Sequence, residues 1–176
     1  MLRILSKTLR TGCVTEAAPD TDDAALEAVG IAVRRRLDER FAGSLAIRAI
    51  DAGSCNGCEL EIHALNNPCY DVERFGVHFV ASPRHADALL VTGPVSRHME
   101  TALRRTYQAM PNPRLIIAAG QCACDGGIFG ASYACIGAVA NVLPVDVTIP
   151  GCPPAPLDLL RGILSAVNPE STTLSR

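Results

Sequence analysis

Residues 45–53 read LAIRAIDAG, a short apolar run that closes on a glycine, and two cysteines follow soon after it. The same arrangement returns along the chain: an apolar or β-branched run, a glycine or serine, a loop and then a helix-like stretch. The other runs of this form are FGVHFVAS (75–82), ADALLVTG (86–93), RLIIAAG (114–120) and VDVTIPG (145–151). Runs that are apolar throughout are typical of strands buried on both faces. The alternation therefore predicts an α/β fold, a parallel sheet with flanking helices.

Helical spacing of apolar residues fills the stretches between the runs. Helices are predicted at 59–66, 96–110, 131–141 and 156–167. Ahead of the first run, a further helix is predicted to begin after Asp20 or Thr21 and to end before Gly43. The chain is accordingly divided into an N-terminal arm and helix at 1–43, an α/β domain at 44–168 and a tail at 169–176, with a linker at 11–21.

Composition limits the classes of function. The chain has 176 residues, of which 48% are hydrophobic, enough for a single core. Its formal net charge is −2, only 4% of its residues are aromatic, and tryptophan is absent. Nucleic-acid binding is therefore not expected, because it relies on positive charge and, for single strands, on aromatic stacking.

No secretory signal and no membrane span are predicted. The first apolar residues are interrupted by Arg3, Lys7 and Arg10, and no run approaches the roughly 18 apolar residues of a spanning helix. The eight cysteines are therefore expected in a reducing, cytoplasmic compartment, where they indicate a metal site or catalysis rather than disulfides. The basic stretch 1–10 and the cluster Arg34–Arg36 are either solvated helix faces or surfaces that dock on a partner subunit or anionic lipid.

Four cysteines follow the predicted carboxyl ends of strands. Cys55 and Cys58 come after the first run, Cys122 after the fourth and Cys152 after the fifth. Parallel strands place their carboxyl ends along one edge, where open α/β sheets bind ligands, so these thiols are expected to converge. Glycines beside them would let the backbone approach a bulky cofactor closely. These are Gly53, Gly57, Gly120 and Gly151.

Three kinds of chemistry fit cysteines in this order. Four thiolates can hold an iron–sulfur cluster or a structural zinc ion, and a C-x-x-C pair alone can act as a redox dithiol. Zinc would prefer two such pairs, whereas this chain has one, CNGC at 55–58. A dithiol would leave Cys122 and Cys152 unexplained. The ordered combination of C-x-x-C, G-x-C-x-x-x-G-G and G-C-P-P favours the cluster over both alternatives.

The motifs resemble a known family of redox subunits. They are DAGSCNGCELEI (51–62), YDVERFGVHFVASPRHADALLVTGPVSR (70–97), GQCACDGGIFG (120–130) and VDVTIPGCPP (145–154). Together they are similar to the small subunit of membrane-bound, energy-converting [NiFe] hydrogenases of the formate hydrogenlyase type, and to the related subunit of respiratory complex I that carries the terminal cluster next to quinone. The resemblance covers about residues 45–165. It implies a flavodoxin-like domain with one [4Fe–4S] cluster on Cys55, Cys58, Cys122 and Cys152.

The resemblance also implies partners and a role. The partners are a hydrogenase large-subunit-like catalytic protein, a ferredoxin-like iron–sulfur subunit and membrane-embedded ion-translocating subunits. The role is electron transfer next to a nickel–iron centre, between ferredoxin-like clusters and proton reduction or hydrogen oxidation. The chain would be peripheral, on the cytoplasmic side of the cell membrane.

One detail separates the two related families. Complex I subunits carry two adjacent cysteines at the first ligand position, whereas Asn-Gly separates Cys55 from Cys58 here, which favours the hydrogenases. The alternatives are a complex I-like subunit that passes electrons to quinone, a nickel-free relative, and a zinc-stabilised assembly subunit without a redox role.

Other side chains near the motifs carry two interpretations each. Glu59 and Glu61 are either solvated or salt-bridged acids at a helix start, or a proton relay or partner contact. Arg84 and His85 are either a surface pair or cations close to the cluster that raise its potential. His63, His78 and His98 are expected to be packed or solvated rather than ligands.

The remaining cysteines are expected to lie outside the ligand set. Cys124 could replace its neighbour Cys122 as a ligand, and Cys135 is expected as a small buried residue of the 131–141 helix. A second cluster built from Cys13, Cys69, Cys124 and Cys135 is not favoured, because their spacing lacks a ferredoxin-type run.

Overall fold

The structure of this protein is a computed structural model that describes residues 2–11 and 23–168. Its helices are α1 (Leu2–Thr11), α2 (Asp23–Arg40), α3 (Gly57–Leu65), α4 (Arg97–Ala109), α5 (Gln121–Asp125) and α6 (Pro156–Val167). Its strands are β1 (Leu45–Asp51), β2 (Val77–Phe79), β3 (Ala88–Thr92), β4 (Val95–Ser96), β5 (Leu115–Ala119), β6 (Cys135–Gly137) and β7 (Val147–Ile149). Short 3₁₀ turns lie at Val72–Phe75, Pro83–His85 and Val139–Asn141.

Parallel strands form the main sheet, in the order β2-β1-β3-β5-β7. Numbered within this sheet alone, the order is 2-1-3-4-5, that of flavodoxin-like folds, so the predicted fold class is confirmed. The strands β4 and β6 form a separate antiparallel pair. In this topology ligands bind beyond the carboxyl ends of the strands, near the switch point between β1 and β3.

Helices cover both faces of the sheet. On one face α2, α3 and α6 pack over a core that includes Leu37, Leu65 and Leu160. On the other face α4 and α5 pack around Leu103 and Ala123. Alternate residues of β3 and β5 enter these two cores, so both strands are buried along their whole length. This double burial explains why the runs are continuously apolar rather than alternating.

The helix predicted ahead of the first strand is confirmed as α2. Its residues Leu26, Val33 and Leu37 are buried in the same core as the sheet, where α2 packs against α6. The predicted caps Asp20 and Thr21 lie outside the described residues, as do Cys13 and the tail 169–176. The division of the chain at residue 43 stays a prediction.

The segment 131–141 differs from its prediction. It forms β6 and a 3₁₀ turn, so the predicted helix, with Cys135 inside it, is wrong. The Oγ of Ser132 accepts hydrogen bonds from the N–H groups of Ala134 (3.3 Å) and Cys135 (3.1 Å), and Gly137 has a φ of +94°. Side-chain bonds to nearby backbone and a left-handed residue both compete with a helix, and apolar spacing does not reveal them.

The basic stretch at the start of the predicted N-terminal arm forms the helix α1. Its described side chains, from Arg3 to Thr11, are all exposed. Among the described helices, none has both the length and the apolar character that a membrane span requires.

Candidate metal centre

The loop after β1 is shaped by the residue that ends the strand. The Oδ1 of Asp51 accepts hydrogen bonds from the N–H groups of Gly53 (2.7 Å) and Ser54 (2.6 Å). A Cβ at Gly93, after β3, would lie 2.5 Å from the Ser54 nitrogen, so the two loops touch backbone to backbone. Both glycines have positive φ, which a side chain would oppose. The loop that carries Cys55 is thereby drawn across the end of β3 towards β5.

The loops after β5 and β7 are joined by backbone hydrogen bonds. The N–H of Gly120 donates to the Ile149 carbonyl oxygen (2.8 Å), and that of Gln121 donates to the Gly151 carbonyl oxygen (2.7 Å). These bonds continue the pairing of β5 with β7 beyond the strands. They set Cys122, in the short helix α5, beside the loop that holds Cys152.

These two sets of loops meet at the sheet edge. A Cβ at Gly120 would lie only 2.5 Å from the Sγ of Cys58, which stands in the first turn of α3. A Cβ at Gly57 would contact the Sγ of Cys55 at 3.6 Å and Pro153 at 3.9 Å. Cysteines that follow β1, β5 and β7 therefore lie near one another at this edge of the sheet, and their role as one ligand set stays a prediction.

The thiols influence one another's titration. Burial is the main cause that raises the pKa of Cys58 from 9.0 to about 11, and the charges of Glu59, Cys55, Cys122 and Cys152 add to it. Burial also raises the pKa of Cys122, with Cys152 as the next cause. Thiolates so close together need positive charge nearby, which a metal centre supplies when it displaces the protons.

The donor set, four thiols at one edge of the sheet, fits an iron–sulfur cluster. Cys55 and Cys152 are exposed, whereas Cys58 and Cys122 are half-buried. The absence of a side chain at Gly127 leaves room at Cys122, because a Cβ there would lie 2.7 Å from its Sγ. Within residues 2–11 and 23–168, no three His, Cys, Asp or Glu side chains are grouped closely enough to hold a single metal ion.

The four glycines singled out from the sequence have two kinds of neighbours, thiol groups and backbone atoms. Gly57 and Gly120 lie against thiols, as described above. A Cβ at Gly53 would instead meet the Pro94 carbonyl oxygen at 3.0 Å, and one at Gly151 would meet the Cα of Pro154 at 2.6 Å. The latter two glycines accommodate neighbouring backbone.

Glu59 is fixed beside the thiols by two hydroxyl groups. Its carboxylate accepts a hydrogen bond from the Oγ of Ser54 (2.6 Å) and another from the hydroxyl of Thr92. Thr92 ends β3, is 1% exposed, and has its hydroxyl 3.3 Å from the Ile50 carbonyl oxygen. The carboxylate thus ties α3 to the end of β3 and to the loop after β1, next to Cys58.

Sequence reasoning did not single out Asp51, Ser54 or Thr92 as part of the site. A signal was present, since each is a polar residue at the end of an otherwise apolar run, in DAGS and LLVTG. Glu61, the other acid considered for a relay, is half-buried on α3.

The Cys124 thiol points towards backbone carbonyls, and two further cysteines lie in other elements of the fold. The thiol of Cys124 lies 3.7 Å from the Ala118 carbonyl oxygen and 3.5 Å from that of Ile149, so it is turned towards the backbone of β5 and β7. This orientation favours Cys122 over Cys124 as a ligand. Cys69 is exposed in the turn after α3, and Cys135 lies in β6.

The other titratable side chains considered lie in several elements of the fold. Arg84 and His85 belong to the 3₁₀ turn that contacts α4 and leads into the amino end of β3, whereas the cysteines follow carboxyl ends. Their closeness to a cluster stays a prediction. His63 and His98 are exposed and His78 is half-buried.

A cleft of about 410 Å³ opens on the other side of Glu59. It exists because β2 pairs with β1 only along residues 45–47, which leaves residues 48–51 of β1 uncovered on that side. Apolar side chains such as Ile62 and Phe79 line it together with the polar Arg48 and His63.

Exposed apolar side chains extend from the thiol loops. Leu60, two residues after Cys58, is 61% exposed, and Ile128, next to Gly127, is 94% exposed. The guanidinium of Arg97 donates to the carbonyl oxygens of Ser132 and Tyr133, which holds the loop after α5 in place.

Comparison with known proteins agrees with this architecture. Residues 55–166 match the family described as NADH ubiquinone oxidoreductase, 20 Kd subunit. Formate hydrogenlyase subunit 7 of Escherichia coli (strain K12) is 43% identical over 152 residues, 80% of this chain and 60% of that protein. The probable membrane-bound hydrogenase subunit mbhJ of Pyrococcus furiosus is 43% identical over 141 residues, 76% of this chain and 84% of that protein.

A solved structure with the same fold is that of the membrane-bound sulfane sulfur reductase, an archaeal respiratory membrane complex. One of its chains is 31% identical, with a TM-score of 0.62, and the match covers 84% of this chain and 75% of that one. The chain described here spans 60% of the length of the Escherichia coli relative. The resemblance drawn from the motifs is confirmed: the chain belongs to the NADH ubiquinone oxidoreductase 20 Kd subunit family, whose members are subunits of oxidoreductase complexes.

Proposed function

We propose that this chain is the electron-transfer subunit of a membrane-bound [NiFe] hydrogenase complex and carries one [4Fe–4S] cluster on Cys55, Cys58, Cys122 and Cys152. The observation that carries the proposal is the meeting of the loops after β1, β5 and β7, which gathers four thiols at one edge of the sheet. When bound, a cluster of this kind supplies one-electron transfer.

The chain's own residues would position the ligands and tune their surroundings. Asp51 orders the loop that holds Cys55, and Glu59 anchors the first turn of α3, which holds Cys58. Hydrogen bonds, nearby charge and burial around the thiols set the potential of such a site. The Glu59 carboxylate adds negative charge beside Cys58, which favours the oxidised state. A proton relay through Glu59 and Glu61 belongs to the same proposal.

The partners are proposed from the exposed side of the site. Cys55 and Cys152 are open to solvent, and the exposed Leu60 and Ile128 adjoin the thiol loops. A catalytic protein like a hydrogenase large subunit, with the nickel–iron centre, would cover this face. A ferredoxin-like iron–sulfur subunit would exchange electrons with the chain, and membrane-embedded ion-translocating subunits would hold the complex at the cytoplasmic side of the membrane.

The second candidate is electron transfer to quinone in a complex I-like assembly. The cleft beside Glu59 favours it, because a partly apolar cavity near the thiols could admit an apolar acceptor. The separation of Cys55 and Cys58 by two residues favours the hydrogenase candidate instead. A nickel-free relative of the hydrogenases would contain the same site.

Metal analysis of the native complex tests the proposal. We would purify the complex anaerobically and measure nickel, iron, zinc and acid-labile sulfide, with hydrogen-dependent dye reduction as the activity. Nickel together with iron and sulfide is the expected result. Iron and sulfide without nickel would transfer support to the quinone-linked or nickel-free candidates. Zinc without sulfide would overturn the cluster assignment.

A further inference from the structure

The helix α1 carries its positive charges on one side. Arg3, Lys7 and Arg10 are spaced three or four residues apart, so they share a face, and with Ser6 they line a shallow groove. No acidic residue occurs within α1. Three positive charges therefore lie along a helix about 15 Å long, without an opposite charge on the same element.

A different side of α1 is apolar and uncovered. Leu5 and Leu9 are four residues apart, so they lie on one face, and they are 63% and 79% exposed. Ile4 is 73% exposed. Burying aliphatic side chains that are exposed to water lowers the free energy. Contact with an apolar environment would therefore stabilise this face of α1.

Nothing among the described elements occupies either face. The side-chain hydrogen bonds of α1 stay within it, from Thr8 to the Ile4 carbonyl oxygen and from Thr11 to that of Lys7. Its side chains from residue 3 to 11 are exposed throughout. Within the described part of the chain, both faces of α1 are therefore open to a partner.

The arginine cluster of α2 provides a contrast. There Arg34 pairs with Asp38 at 3.1 Å, and Arg35 pairs with Glu39 at 3.3 Å. The side-chain hydrogen bond from Arg36, and after it that from Arg35, lowers the pKa of Glu39, so that carboxylate stays charged beside them. The α2 cluster is thus neutralised on its own helix and is a solvated face, whereas α1 keeps its full positive charge.

We propose that α1 is an interfacial helix that binds the anionic lipid surface of the membrane. Its cations would meet lipid phosphates, and Leu5 and Leu9 would enter the boundary between headgroups and acyl chains. A positive face with no acidic residue complements a negative leaflet, which is why we assign lipid rather than protein as the occupant. The inference deepens the peripheral location in the proposed function and rests on that part of it.

Vesicle binding by the full, cluster-loaded chain tests this proposal. Cosedimentation would be measured with phosphatidylcholine vesicles and with mixed phosphatidylcholine–phosphatidylglycerol vesicles, at low and high salt. Binding is expected only to the mixed vesicles and should fall with salt. Lys7→Gln and Arg10→Gln should each weaken it about fivefold, and Leu9→Ser about tenfold. Arg35→Gln on α2 is the matched control and should bind as the unaltered chain does.

The outcomes separate lipid from other occupants. Equal binding to neutral and anionic vesicles, or unchanged binding by the Lys7→Gln, Arg10→Gln double variant, would overturn the proposal. So would failure to bind vesicles combined with loss of the α1 variants from the detergent-solubilised complex, which would make α1 a protein interface. Iron content, measured on the same samples, reports on the cluster independently of lipid binding.

Discussion

Gly127 and Gly130 form a matched pair that tests whether Cys122 occupies a ligand position. Both have a φ of +53°, so alanine at either position carries a similar left-handed backbone penalty of about 1–2 kcal/mol. They differ in what a Cβ would meet. At Gly127 the Sγ of Cys122 lies 2.7 Å away, whereas at Gly130 no atom lies within 4 Å.

The displacement that Gly127→Ala imposes follows from these distances. Ordinary van der Waals contact with a Cβ begins at 3.4 Å, so a thiol at 2.7 Å must retreat by at least the difference of 0.7 Å. The Cα of Cys122 lies 3.2 Å from the same point, so a small shift of the backbone gives little relief. Ligand groups must be held within about 0.5 Å of their working position. Gly127→Ala should therefore lose most of its iron.

The assay compares the two variants purified anaerobically in parallel. Both should lower the melting temperature by about 2–8 °C, the shift that the backbone penalty predicts for a chain of this size. Only Gly127→Ala should also lose iron and acid-labile sulfide per chain. Full iron content in Gly127→Ala would refute the placement of Cys122 as a ligand. Equal iron loss in both variants would show that backbone strain, not thiol displacement, empties the site.

Other changes separate the ligands from their neighbours. Cys122→Ser should abolish iron loading whereas Cys124→Ser should not, because the Cys124 thiol faces backbone carbonyls; equal iron contents would contradict this. Thr92→Val removes a hydroxyl that donates to Glu59 and should lower the free energy of unfolding by about 1–3 kcal/mol, and an unchanged urea midpoint would argue against the network. In the metal-free chain the raised pKa of Cys58 contributes stability fully below pH 9.0, and this contribution is lost as the pH rises towards about 11. Denaturant unfolding across that range should show the fall, and a rise would disprove it.

The parts of the fold that the sequence predicted well are those buried on both faces. The strands β3 and β5 lie within the predicted runs 86–93 and 114–120, because continuous burial leaves a continuous apolar pattern. The segment 131–141 was mispredicted, since bonds from Ser132 to nearby N–H groups leave no periodic trace. Helix α5 spans Gln121–Asp125, little more than one turn, and is too short to show a helical period in the sequence.

The cysteines of the candidate site could be predicted from the sequence, whereas the side-chain contacts around them could not. Thiols placed after strand ends had to lie on one edge, because parallel strands end there. The hydrogen bond from Thr92 to Glu59 joins a strand to a helix that is distant in sequence, and no local sequence pattern encodes it. The direction of the Cys124 thiol likewise depends on how α5 packs against β5 and β7.

The crossing of the β1 loop over the end of β3 has a consequence for the order of biosynthetic events. Because β3 lies between β1 and β5, the loops that carry Cys55 and Cys122 come together only when all three strands are paired, and we expect the thiol site to form late in folding. Small zinc domains fold around their metal, whereas this sheet already has two apolar cores of its own. If the chain carries the proposed cluster, the sheet is expected to form before iron is inserted, and insertion is expected before a partner docks over the exposed Cys55 and Cys152.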